Sequence, residues 1–117
     1  MEQKFDSEEA KKALLRKEEE ERNKQEEERK VLLEKAISTL KEIFQNSSVE
    51  VYLVGSITRP FAFSSYSDID VVLKNYTGDR FDCWTDLEEK MERPVEVILF
   101  ETCHFKEFVL ENGIKVV

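Results

Sequence analysis

The sequence predicts an α+β domain behind a long charged N-terminal helix. Three observations carry this. Residues 8–45 hold no Pro or Gly and are rich in Glu, Lys and Arg, all good helix formers. Three short apolar runs follow at 50–54, 69–74 and 95–100, each of strand length and bounded by turn or charged residues. Between the last two, residues 79–92 return to apolar residues at helical spacing.

The elements follow in order. Asp6 or Ser7 is the expected cap of the first helix, with Glu9 and Ala10 opening its first turn. Residues 16–30 contain no apolar side chain, and pairs such as Glu20–Lys24 and Glu26–Lys30 support the helix only weakly. Two readings of this stretch stay open. It is a solvated single helix that partly frays, or an arm that self-associates or grips a partner through Ala10, Leu14 and Leu15. A coiled coil is disfavoured, because an apolar seam does not run through fifteen polar residues. We therefore divide the chain into a charged helical extension, 1–30, and a domain, 31–117. Within the domain Leu33, Ile37, Leu40 and Phe44 form a stripe expected to pack on a sheet, and Asn46-Ser47-Ser48 ends the helix. Strand 50–54 leads into a short helical piece near 56–62 and a loop, 63–67. Strand 69–74 and a turn at 75–78 precede helix 79–92, whose face is Phe81, Trp84, Leu87 and Met91 with Glu88 as a charged interloper. Pro94 opens strand 95–100. A helix over 102–111 stops at Asn112-Gly113, and 114–117 is a last strand. Phe105, Phe108 and Leu110 read as core. Trp84, Phe61, Phe63 and Tyr66 read first as packing or loop anchors, with a base pocket as the alternative.

Composition excludes several classes. The chain has 117 residues and a formal net charge of −8. The acidity is concentrated: residues 47–117 carry 13 Asp/Glu against 7 Lys/Arg. Such a domain repels a phosphate backbone, so bulk nucleic acid is not an expected partner. The first twenty residues are too charged for a signal peptide and no apolar run is long enough to span a membrane, so a cytoplasmic chain is expected. Cys83 and Cys103 are too few for a disulfide framework, and with His104 they lack the tight pairing of a zinc site.

The chemistry concentrates in residues 51–74, VYLVGSITRPFAFSSYSDIDVVLK. A strand ends in Gly55-Ser56, eleven residues intervene, and Asp68-Ile69-Asp70 opens the next strand. Alternation along a strand turns Asp68 and Asp70 the same way. Two close carboxylates repel unless a cation sits between them, and an oxygen-only site suits Mg²⁺. Glycine lets a phosphate approach the backbone, and serine offers a hydroxyl and an amide. Glu96 is a lone acid in an otherwise apolar strand, where a charge is costly unless paired or on metal. Arg59 is placed to reach a phosphate as a forked donor.

This combination resembles the DNA polymerase β-like nucleotidyltransferase superfamily, and within it the minimal nucleotidyltransferases, the MntA-type antitoxins of HEPN–MNT pairs. The likeness covers about residues 31–117. It implies a mixed β-sheet with helices packed on one side. It implies Mg²⁺-dependent transfer of a nucleoside monophosphate, AMP first, from an NTP such as ATP to a hydroxyl of a partner protein, a HEPN-type toxin. Asp68, Asp70 and Glu96 would then be the catalytic and metal-binding carboxylates, holding two Mg²⁺ ions, and Gly55, Ser56 and Arg59 the nucleotide-binding residues. Glu96 stands where this family most often has Asp, and Pro60 where many members have Gly after the arginine. These departures support an alternative: a catalytically impaired module that neutralises a partner toxin by occlusion.

Overall fold

The computed structural model describes residues 7–117. The expected cap at Asp6 lies outside them, and Ser7 is the first helical residue described. Helix α1 spans Ser7–Phe44 without interruption. Strand β1, Glu50–Val54, follows a short turn, and β2 spans Ile69–Lys74. Helix α2, Arg80–Met91, leads to β3, Val95–Leu99. Helix α3, Lys106–Asn112, and a two-residue strand β4, Ile114–Lys115, complete the domain.

The four strands form one mixed sheet in the order β3-β2-β1-β4. β1 runs antiparallel to β2 and β4, whereas β2 and β3 are parallel. The parallel pair needs a crossover, which α2 supplies. One face carries Val51, Leu53, Ile69, Val71, Leu73, Val95 and Val97 against Ala36, Leu40 and Phe44 of α1 and Leu87 and Met91 of α2. Period two in the strands meets the helical stripe there, and the expected α+β architecture with its long leading helix is observed. The opposite face is not bare. Tyr52, Val54 and Val72 pack with Phe100 and with Val109 of α3.

Several local expectations change. The helical piece expected near 56–62 is a single 3-10 turn, Ser56–Thr58. Pro60 has no N–H to continue it, and Phe61 takes a left-handed conformation, φ 62°. The helix expected from 102 starts at Lys106, after a 3-10 turn over Phe100–Thr102. Val109 is its buried residue, while Phe105, Phe108 and Leu110, expected in the core, are exposed. Helix α2 buries Cys83, Leu87 and Met91 and leaves Phe81 in solvent. Its first turn is capped by Asp79, whose carboxylate accepts the Phe81 and Asp82 amides at 2.8 and 3.0 Å. The charged interloper Glu88 accepts the Val95 amide at 3.1 Å and so tethers the start of β3. Residues 16–30 also bury more than their polarity predicts: Glu26 and Arg29 are both buried.

Candidate active site

Sheet register builds the site. Val54 at the end of β1 stands opposite Asp70 on β2, and Asp70 stands opposite Glu96 on β3. Their neighbours Ile69, Val71, Val95 and Val97 turn into the α1–α2 core. Alternation therefore sends Asp70 and Glu96 to the other face, at the strand ends beyond Val72 and Ile98. There they line a cleft of about 490 Å³ together with Gly55, Arg80, Phe105 and Phe108.

The electrostatics are those of crowded acids. The Asp70 carboxyl is pushed up to about 6, first by burial, then by the negative charges of Glu96 and Asp68 and by its contact with Glu96. Asp68 lies just before β2, exposed, and reaches Asp70 through its charge. The three acids are not gathered into one compact cluster: among the described residues no three His, Cys, Asp or Glu side chains are grouped to hold a metal ion. What the register does bring together is the Asp70–Glu96 pair. A carboxylate raised by like charges is relieved by a cation as well as by a proton, and every donor here is a carboxylate oxygen. The pair's donors are of the kind a hard divalent ion takes, while Asp68 stays exposed outside the pair.

Gly55 closes the strand against this acid. Its φ is +81°, and a Cβ there would collide with the Asp70 carboxylate. Only glycine allows both the conformation and the approach. The Gly55 carbonyl is then satisfied within the turn, accepting the Thr58 amide at 3.1 Å and the Thr58 hydroxyl at 2.7 Å. Ser56 is half-buried at the head of that turn. Arg59 is exposed and, with Gly55 and Thr58, bounds an adjoining hollow of about 300 Å³. Gly55 is common to the cleft and the hollow, so the carboxylates and the arginine flank one glycine.

Some contributors had no visible signal in the sequence. Arg93 donates to the Ser64 carbonyl at 2.8 Å and to the Ser67 carbonyl at 3.1 and 3.3 Å, with its guanidinium 4.5 Å from the Phe63 ring centre. It fixes the loop that delivers Asp68. Arg80 donates twice to the Val97 carbonyl, at 3.1 and 2.8 Å, and so places a cation in the wall of the acidic cleft. Phe63 is buried and Tyr66 fully in solvent, so neither faces the cleft, and Trp84 packs partly buried on the main core.

No helix of the described residues is long and apolar enough to cross a membrane. No curated protein matches the chain significantly. A family model described as the nucleotidyltransferase domain matches residues 33–116, most of the chain and all of the sheet. On that match the chain belongs to the nucleotidyltransferase domain family, whose chemistry is transfer of a nucleoside monophosphate from a nucleoside triphosphate.

Proposed function

We propose that this nucleotidyltransferase uses ATP with Mg²⁺ and transfers AMP to a hydroxyl of a partner protein, in the manner of the MNT antitoxins that act on HEPN toxins. The observation that carries the site assignment is the register pair Asp70–Glu96 beside Gly55. The remote part of the reading, the partner protein, rests on the resemblance.

In this reading Asp68, Asp70 and Glu96 hold Mg²⁺, as two ions. When bound, the metal neutralises the triphosphate and makes the acceptor oxygen a better nucleophile. The residues of the chain do the rest. Gly55 clears space for the phosphates, and Ser56 offers them its amide and hydroxyl. Arg59 reaches from the adjoining hollow toward the departing β,γ-phosphates. A Glu96 carboxylate oxygen takes the acceptor hydroxyl proton. The acceptor oxygen bonds to the α-phosphorus, the bond from that phosphorus to the bridging oxygen breaks, and pyrophosphate leaves with the electron pair. Positioning and charge neutralisation supply most of the rate.

A second reading has an observation of its own. Asp68 is exposed and outside a compact triad, and Glu96 is one methylene longer than the usual Asp. Both favour a module that silences its partner by occlusion. Incubation with α-labelled ATP, Mg²⁺ and the product of the adjacent gene separates the two. Label on the partner is the expected result. A partner that is silenced without acquiring label would establish occlusion and overturn the transfer reading.

A further inference from the structure

The charged arm of α1 reaches the nucleotide loop through two buried side chains. Glu26 and Arg29 lie one helical turn apart, each with only 7 % of its side chain exposed. They form a forked pair, Arg29 Nε to Glu26 Oε1 at 2.6 Å and Nη2 to Oε2 at 2.9 Å. A pair of this spacing on a helix surface normally stays in water. Here both partners turn their remaining hydrogen-bonding groups to a loop far along the chain. Arg29 Nη1 donates to the Ile57 carbonyl at 2.8 Å, and Glu26 Oε1 accepts the Phe61 amide at 2.9 Å. One turn earlier, the Arg22 guanidinium lies 4.6 Å from the Phe61 ring centre. The loop is thus pinned at both ends, and Arg59 sits between the pins.

Phe61 makes the pinning consequential. Its φ of 62° is rare for a bulky residue and persists only where surrounding contacts hold it. Half of its side chain is exposed, so core packing does not supply that hold. The turn closes locally, the Ala62 amide donating to the Arg59 carbonyl at 3.2 Å, and the Glu26 carboxylate on the Phe61 amide and Arg22 on its ring tie that turn to α1. Loss of these contacts is expected to loosen the turn at Phe61 and with it the placement of Arg59 beside Gly55.

We infer that Glu26 and Arg29 are positioning residues for nucleotide binding: by clamping residues 57–61 they hold Arg59 toward the triphosphate. This rests on the reading of the Gly55–Arg59 segment as the phosphate loop. It also moves the start of the functional unit upstream of the 33–116 family match, into the charged extension.

The test uses the full chain, with MgATP as probe. Calorimetry gives Kd, hydrogen exchange follows the Phe61 amide, and circular dichroism reports the fold for Glu26→Ala, Glu26→Gln, Arg29→Lys and Arg59→Ala. Glu26→Ala is expected to speed exchange at Phe61 and to weaken ATP binding about tenfold while the domain stays folded. Glu26→Gln keeps an acceptor for the Phe61 amide and is expected to recover part of both, so it serves if the alanine variant does not fold. The decisive readout is coupling. With Arg59→Ala already present, Glu26→Ala is expected to cost no further affinity, because its effect travels through Arg59. Additive losses, or an unchanged Kd beside a loosened Phe61, would overturn the inference and leave the nucleotide reading intact. A wild-type chain that binds no MgATP would overturn both, with exchange at Phe61 still reporting whether the clamp exists.

Discussion

At the scale of single residues the site is a contest between burial and charge, and Asp70 shows which way it goes. Its carboxyl is raised to about 6, by burial first and by Glu96 and Asp68 next. Between about pH 4 and pH 6 the folded chain keeps a proton that the unfolded chain has released, so stability falls as pH rises through that window. Asp70→Asn removes this penalty. The variant is expected to melt higher than wild type above pH 6 in the absence of divalent ions, with the difference vanishing below pH 4. Equal melting temperatures across the range would show that Asp70 is not under strain. Gly55 is the complementary case. Gly55→Ala must accept φ +81° and displace the Asp70 carboxylate, a loss of about 1–3 kcal/mol in stability by chemical denaturation and of most activity. Glu96 separates the two functional readings. Glu96→Gln is expected to reduce label transfer by orders of magnitude with little change in fold, while Glu96→Asp keeps transfer. If wild type is inactive and Glu96→Asp gains transfer, the occlusion reading is correct for the natural chain.

At the scale of elements, legibility followed the kind of interaction. Strands β1, β2 and β3 and the stripe on α1 were readable because apolar periodicity is a local pattern that burial rewards directly. Asp70 and Glu96 stood out as candidates because they interrupt such patterns, whereas their pairing across β2 and β3 is set by register, which the sequence does not display. The clamp was not readable. Glu26 and Arg29 sit in a run of fifteen polar residues, and their partners are backbone groups 35 and 28 residues away, which no composition reveals. Arg93 and Arg80 were hidden for the same reason: each spends its guanidinium on carbonyls of a distant loop or strand. The helix over 102–111 was placed too early, since a 3-10 turn over Phe100–Thr102 precedes it, and Phe105 and Phe108, expected in the core, line the cleft. This bears on the boundary between residues 30 and 31, which remains a proposal. Removing residues 1–18, which spares Arg22 as well as Glu26 and Arg29, is expected to leave fold and loop intact. Removing residues 1–28 takes Glu26 away but spares Leu33, Ile37, Leu40 and Phe44, so the domain is expected to fold with residues 57–61 newly open to protease. Circular dichroism with limited proteolysis distinguishes the two truncations. Identical cleavage of both would mean that Glu26 does not hold the loop.

At the scale of the whole molecule, charge decides which ligands arrive. The described chain extends 74 Å along its longest axis, with α1 contributing the length. The sheet-bearing part is the acidic part, with 13 acidic against 7 basic residues over 47–117. A free triphosphate meets a repulsive field there, and Arg59 and Arg80 are the cations at the cleft and its hollow. In the proposed reading a divalent ion would change the sign of the encounter, since it would cancel charge on the phosphates and relieve the Asp70–Glu96 repulsion together. ATP affinity is therefore expected to depend steeply on Mg²⁺, falling at least about tenfold when EDTA is added. Asp68→Asn with Asp70→Asn is expected to remove most of this dependence: the double variant loses transfer, remains folded, and binds metal-free ATP no worse than wild type does. Duplex DNA, which brings charge without a bridging metal site, is expected to show no competition at physiological salt. Titrations of ATP with and without Mg²⁺ on both proteins, with DNA as competitor, check the binding expectations, and label transfer with circular dichroism checks the double variant. Affinity independent of Mg²⁺ in the wild type would mean that the carboxylate pair does not face the triphosphate.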